Sequence, residues 1–223
     1  MSALLLGSIS TVADTSELQR QAFNDAFTEH GLEWHWDRDE YLRMLESSGG
    51  EKRIADYAEY LGTTVDAGAV HRSKTHIFQR ILAESRLSPR PGVVETIRAA
   101  KDKGSKVALV TTTSADNVAS LMDALTPELR MSDFDLVVDA SHVAQPKPDK
   151  AAYSYALETL GETARACVAV EDNLQGVEAA AAAGLACVAF PNQNTAGSDF
   201  PKASRIIDRM DFDELQEIAP LDA

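Results

Sequence analysis

The sequence predicts an α/β protein: a Rossmann-like, doubly wound parallel sheet with a helical domain inserted after its first strand. Three observations predict it. Five short runs of Val, Leu, Ile and Ala are nearly continuous in apolar residues instead of alternating, the pattern of strands covered on both faces. Helical patterns that stop at glycine separate the later runs. About a hundred residues with no convincing strand lie between the first run and the second.

The elements follow in order. Ala3 to Ile9 is the first strand. Leu18 to His30, Asp39 to Leu45, Lys52 to Leu61 and Gly68 to Ala83 read as amphipathic helices, with breaks at Gly31, Gly49-Gly50 and Gly62. Asp14-Thr15-Ser16 supplies the cap that opens this insertion, and Pro89 and Pro91 mark the return to the sheet. Val93 to Lys103 carries apolar residues at Val93, Val94, Ile97 and Ala100 and ends in Lys-Gly, before the strand Lys106 to Thr111. Phe134 to Val138 is the third strand, and Asp149 to Leu160 is a helix that starts after Pro148. Ala166 to Val170, the helix Leu174 to Ala183 closed by Gly184, and Leu185 to Phe190 complete the alternation. Strands and helices of these lengths in this order imply right-handed crossovers. The expected division is a core of residues 1–14 and 88–223 and a helical domain of residues 15–87.

At 223 residues, 44% hydrophobic and 25% charged, the chain buries a substantial core and is neither disordered nor collagenous. Its 35 acidic and 21 basic residues give a formal charge of −14, which repels a phosphate backbone or an anionic lipid surface. Nucleic acid and membrane are therefore not expected partners, whereas a few local cations can still build a pocket for a small anion. Cys167 and Cys187 both sit in apolar runs and read as buried free thiols, which points to a reducing cytoplasm. The opening residues lack a basic n-region and their apolar run stops at Gly7, so no targeting segment is expected.

Ligands of open α/β sheets bind beyond the carboxyl ends of the strands. The residues there are Thr111-Thr112-Thr113-Ser114, Gln145-Pro146-Lys147-Pro148-Asp149 and Glu171-Asp172-Asn173. A hydroxyl cluster, a Pro-rigid turn with a cation and an acidic pair suit a phosphate and a hard divalent ion. The same residues also suit plainer roles, as turn and N-cap groups.

Taken together, these pieces resemble the haloacid dehalogenase superfamily, in the branch with a helical cap after the first strand, and within it the CbbY-type sugar-phosphate phosphatases related to β-phosphoglucomutase. The residues carrying the resemblance are Gly49-Gly50-Glu51-Lys52-Arg53-Ile54 and His71-Arg72-Ser73-Lys74-Thr75 in the cap. In the core they are Arg90-Pro91-Gly92-Val93, Thr111-Thr112-Thr113-Ser114, Pro146-Lys147-Pro148-Asp149 and Val170-Glu171-Asp172-Asn173-Leu174-Gln175-Gly176.

The resemblance implies a nucleophilic Asp and, two residues on, an acid/base Asp at the end of the first strand, where a period of two puts both on one face. Here Gly7 stands at the nucleophile position and Ile9 at the acid/base position. The family's Lys before Pro-x-Pro-Asp is Gln145, and Lys147 falls two residues later, at a variable position. What the resemblance leaves is Thr111, with Thr112 and Thr113, for a phosphoryl group, and Glu171 and Asp172 for Mg²⁺, whose binding is expected to be weak without the first carboxylate. Loss of an acid/base typically forfeits about 10²- to 10⁴-fold in rate, and loss of one member of a catalytic unit roughly 10⁶-fold. A slip of one residue, placing Ser8 and Ser10 at the two positions, leaves no base.

In the cap, Arg53 and Lys74 are the expected sugar-phosphate contacts, with Lys52 and Arg72 in the same stretches, although Glu51 replaces the family's Lys. Trp34 and Trp36 are expected to pack. The five histidines read as surface or packing residues. The leading expectation is a pseudoenzyme that binds a sugar phosphate or regulates a partner, whose identity the sequence does not supply. The alternatives are a Mg²⁺-dependent phosphohydrolase working from Thr111, Glu171, Asp172 and a water, and a structural subunit.

Overall fold

A computed structural model describes residues 1–45 and 49–219. Six parallel strands form one sheet in the order β3-β2-β1-β4-β5-β6, with β1 (Ala3–Leu6) between β2 (Lys106–Val110) and β4 (Cys167–Glu171). The outer strands are β3 (Leu136–Val138), β5 (Ala186–Ala189) and β6 (Arg205–Ile206). Every pairing is parallel, so the continuous apolar runs have the reason given for them: both faces of the sheet are covered.

The two faces differ in side-chain size. Leu4, Leu6, Val107, Leu109, Val168, Val170 and Val188 belong to one cluster, which continues into the helices between β1 and β2. Ala3, Leu5, Ala108, Val110, Cys167, Ala169, Cys187 and Ala189 face the other way, against α8 (Ala151–Leu160) and α9 (Leu174–Ala182). Small side chains on this second face let α8 approach closely, and its Tyr153 is fully buried there. Both cysteines are free and buried, and burial raises the Cys167 thiol to about 11.

The first strand is shorter than its apolar run. It stops at Leu6, and Ile9–Val12 forms a single helical turn, α1, because the Ser8 hydroxyl accepts from the Ser10 amide (3.2 Å) and caps it. The expectation that residues 7 and 9 share a strand face therefore fails. Ile9 is instead buried in the larger apolar cluster.

The helices of the insertion are α2 (Ser16–Glu29), α3 (Arg38–Met44), α4 (Gly50–Tyr60) and α5 (Ala67–Glu84), each within a few residues of its sequence pattern. Trp36 is completely buried among Phe23, Phe27, Tyr41 and Tyr57, with ring centroids 4.7–6.3 Å away. Packing, not sugar stacking, accounts for it.

Helix α6 (Val93–Asp102) leads into β2 as expected. Two further helices were not anticipated: α7 (Ala115–Leu125), capped by Ser114, and α10 (Phe212–Ile218), capped by Asp211. Buried Val118, Leu121, Met122 and Leu125 recur at three- and four-residue spacings, the signal that reveals α7. The two-residue, exposed β6 has no such signal.

Candidate functional site

The sheet register determines what meets at the carboxyl edge. Leu6 is level with Leu109 on one side and Val170 on the other, so Gly7 emerges between the ends of β2 and β4. Thr111 follows β2 and Glu171 ends β4. The polar residues expected at the site thus converge, except Gln145, which is exposed on its turn.

Glu171 is the centre of the arrangement. It is fully buried, and its Oε1 accepts from the Lys147 ammonium (2.5 Å) and from the Tyr153 hydroxyl (2.6 Å). Lys147 also donates to the Val110 carbonyl (2.7 Å) and lies 4.8 Å from the Tyr153 ring centroid. Burial pushes the Glu171 carboxyl upward, while Lys147 pulls it down. This corrects the reading of Lys147 as out of place. Residue 145 points to solvent and residue 147 turns inward, so the cation arrives from two residues later in the chain.

The Glu171 carboxylate lies against two glycines. A Cβ on Gly7 would stand 2.0 Å from Glu171 Cδ, and one on Gly176 would stand 2.1 Å from it. Any side chain at residue 7 would compete with this carboxylate for the same volume.

Asp172 is also buried and surrounded by donors. The Ser8 hydroxyl and the Asn173 amide (3.0 Å) donate to Oδ1, and the Asn192 amide (2.5 Å) donates to Oδ2. Thr195 donates to the Asp172 carbonyl at 2.6 Å, fixing the loop after β5 to the end of β4. Arg90 ties the same loop to α1: it donates to the carbonyls of Ser10 (3.2 Å), Phe190 (2.8 Å) and Pro191 (2.6 Å) and stacks on the Phe190 ring.

The threonines take the plainer roles. Thr111 Oγ1 accepts from the Thr113 amide (3.1 Å), Thr113 Oγ1 accepts from Asn117 (2.8 Å), and Ser114 caps α7. Thr112 is half-buried beside them. Asn173 caps α9 through the Gly176 amide (2.9 Å).

The inserted helices carry a cationic group. Lys74 is buried, donates to Gln19 (2.7 Å) and sits 4.8 Å from the ring centroids of Phe23 and Phe78. Among the described residues no carboxylate pairs with it. Burial, helped by Arg53, lowers its pKa to about 7. Burial, helped by Lys74 and Arg53, lowers that of His71 to about 4. Tyr41 is buried beside this group, and burial raises its hydroxyl while Arg53 lowers it. Lys52 is different: it is exposed and paired with Asp56, a solvated helix charge.

The sequence does not single out Tyr153 or Asn192, or Ser8 as a partner of Asp172, at this edge. Nothing in their local pattern distinguishes them from a helix-core tyrosine, a turn serine and a loop amide. A separate cavity of about 750 Å³ beside β6, lined by Arg90, Arg205, Arg209 and Glu214, contains none of the strand-end acids.

The chain belongs to the haloacid dehalogenase-like hydrolases, whose family model matches residues 9–184. Gly7 and the first strand lie just outside that match. Within the family the resemblance is to CbbY. The chain is 37% identical to CbbY of Cereibacter sphaeroides, over 99% of this chain and 96% of the relative, and 36% identical to that of Rhodobacter capsulatus, over 91% of each. The crystal structure of CbbY from Rhodobacter sphaeroides in complex with phosphate superposes with a TM-score of 0.84 at 36% identity, covering 94% of each chain. An Asp-to-Asn variant of that protein, in complex with xylulose-(1,5)bisphosphate, gives 0.85 at the same identity and coverage.

Proposed function

We propose that this chain binds a sugar phosphate between cap and core and has lost the phosphoryl transfer of its family. One observation carries the proposal: the Glu171 carboxylate, held by Lys147 and Tyr153, fills the volume in front of Gly7 that an attacking carboxylate requires. The acid/base position is no better placed, since Ile9 is buried in apolar packing. Neither nucleophile nor proton carrier is present at its expected place.

Ligand binding draws on different residues. Lys74 and Arg53, with residues 15–87 acting as a cap over a core of 1–14 and 88–223, offer positive charge to a phosphate. Thr111, Thr112 and Thr113 line the facing strand end. The phosphate and xylulose bisphosphate seen with CbbY indicate the ligand class. A cytoplasmic location fits the two free thiols. Among the described residues no helix is long and apolar enough to cross a membrane.

A second reading, a phosphohydrolase working by another route, draws on the Ser8 hydroxyl, which donates to the Asp172 carboxylate. Phosphate release separates the two. With a panel of sugar mono- and bisphosphates and excess Mg²⁺, the protein is expected to release no more phosphate than Asp172→Ala purified identically. Release that disappears in Asp172→Ala establishes the second reading instead. Binding is read separately, by thermal stabilisation: a ligand at a hundred times its Kd adds about 2.7 kcal/mol. No shift with any phosphorylated sugar would mean a structural subunit.

A further inference from the structure

One residue of α5 breaks the pattern of its helix. Val70, Ile77, Phe78 and Leu82 are buried at helical spacing, and Lys74 is buried among them, four residues after Val70 and three before Ile77. An apolar side chain is expected there, because a buried ammonium is costly unless a counter-charge offsets it. Among the described residues no carboxylate does so. Lys74 Nζ donates to a neutral acceptor on α2, Gln19 Oε1 (2.7 Å), and stands 4.8 Å from the ring centroids of Phe23 and Phe78.

The titratable neighbours push the same way. Arg53 on α4 disfavours the ammonium, and His71, a turn earlier on α5, is itself held neutral and brings no negative charge. Every influence on Lys74 therefore favours the free amine. Gln19 and His71 are only half-buried, so the group borders solvent.

A free amine in an apolar setting is a nucleophile toward carbonyl carbon. The hydrogen bond to Gln19 uses an N–H and leaves the nitrogen lone pair for attack. Attack joins Nζ to the carbonyl carbon, and the displaced electron pair goes to the oxygen, which takes a proton from the nitrogen. The carbinolamine then loses that oxygen as water together with the second N–H proton. Amine and carbonyl give imine and water, with no oxidant or reductant. A sugar whose ring-closing hydroxyl is esterified by phosphate keeps its carbonyl free for this step.

We infer that Lys74 captures its ligand reversibly as an imine, and that the ligand is a sugar phosphate with a free aldehyde or ketone. This rests on the proposed binding of a sugar phosphate and narrows it, but it is read from a covalent bond and not from affinity.

The test treats the full-length protein with glycolaldehyde phosphate and sodium cyanoborohydride, which reduces an imine to a stable secondary amine. Peptide mass mapping then locates the label. At about pH 7.5 an ordinary lysine is roughly 0.1% neutral, whereas Lys74, whose pKa is about 7, is mostly so. Lys74 is expected to be labelled at least ten-fold faster than Lys52, which is exposed on α4. Lys74→Met should lose this label and keep those on the other lysines. Labelling of Lys74 no faster than Lys52 overturns the inference. So does a label that unphosphorylated glycolaldehyde places on Lys74 at the same rate, since the position then selects no phosphate. Thermal stabilisation by glucitol 6-phosphate, which has no carbonyl, reads the proposed function by itself. If that stabilisation is present and Lys74 stays unlabelled, the inference fails and the proposed function stands.

Discussion

Lys74→Met is expected to make the protein more stable and to remove its affinity for anions. Lys74 is buried with an amide oxygen and two aromatic rings for company and no carboxylate. Its pKa falls from 10.5 to about 7, chiefly through desolvation. At 1.36 kcal/mol per unit this represents roughly 3–5 kcal/mol of disfavoured charge below pH 7. Methionine keeps the apolar stem and removes the charge.

The sign follows from linkage. Between pH 7 and 10.5 the unfolded chain binds more protons at this lysine than the folded one, so its contribution to stability rises with pH across that window. The advantage of Lys74→Met is therefore largest below pH 7 and gone by about pH 10.5. At roughly 2–4 °C per kcal/mol, a rise of about 6–20 °C in melting temperature is expected near pH 6. Melting temperatures of the two proteins from pH 6 to 10 check this, and a variant less stable than wild type at pH 6 refutes it.

On the proposed function, the same lysine is expected to make anion binding pH-dependent. Sulfate keeps its charge over this range, so its affinity should weaken about ten-fold per pH unit above 7 as the amine loses its proton. Calorimetric titration at pH 6, 7 and 8 reads this. A flat profile removes Lys74 from the anion site and leaves Arg53 to carry it.

Glu171→Gln is the second substitution with a large expected effect. Removing one partner of a buried ion pair leaves the other charge uncompensated, typically at about 3–5 kcal/mol, whereas replacing both partners by apolar groups is often neutral or better. Lys147 is then left with a carbonyl, a ring and a neutral amide. Glu171→Gln should lose about 3–5 kcal/mol in urea unfolding, and Lys147→Met/Glu171→Gln should recover most of it. Gly7→Ala should lose about 1–3 kcal/mol, because its Cβ meets the carboxylate at 2.0 Å. A Glu171→Gln protein within 1 kcal/mol of wild type would show that the pair does not hold the strand ends together.

Gly7→Asp with Ile9→Asp is consequently not a simple repair. The first substitution forces Glu171 out of its pocket, and the second places a carboxyl in the apolar cluster around Ile9. The absence of carboxylates at 7 and 9 is thus tied to the packing around those positions.

Much of the fold was legible in the chain. Continuous apolar runs identified a sheet covered on both faces, and the strandless stretch after Ile9 identified the inserted helices, because burial periodicity is a local property of sequence. The family, the absent carboxylates at 7 and 9 and the acidic pair at 171 and 172 were equally visible, since each is a residue type at a fixed chain position.

Orientation was not. Sequence spacing counts residues along the backbone, and by that count Lys147 missed its place by two. Only the folded turn shows residue 147 pointing inward and residue 145 outward. Residue 9 read as a strand position until Ser8 capped a helical turn there. Tyr153 reached Glu171 because the small residues on one sheet face let α8 come close. The sequence determined which chemical groups this protein has and which it lacks. Tertiary structure decided how those groups neutralise one another, since hydrogen bonds and ion pairs act over about 3 Å in space and join residues far apart in the chain.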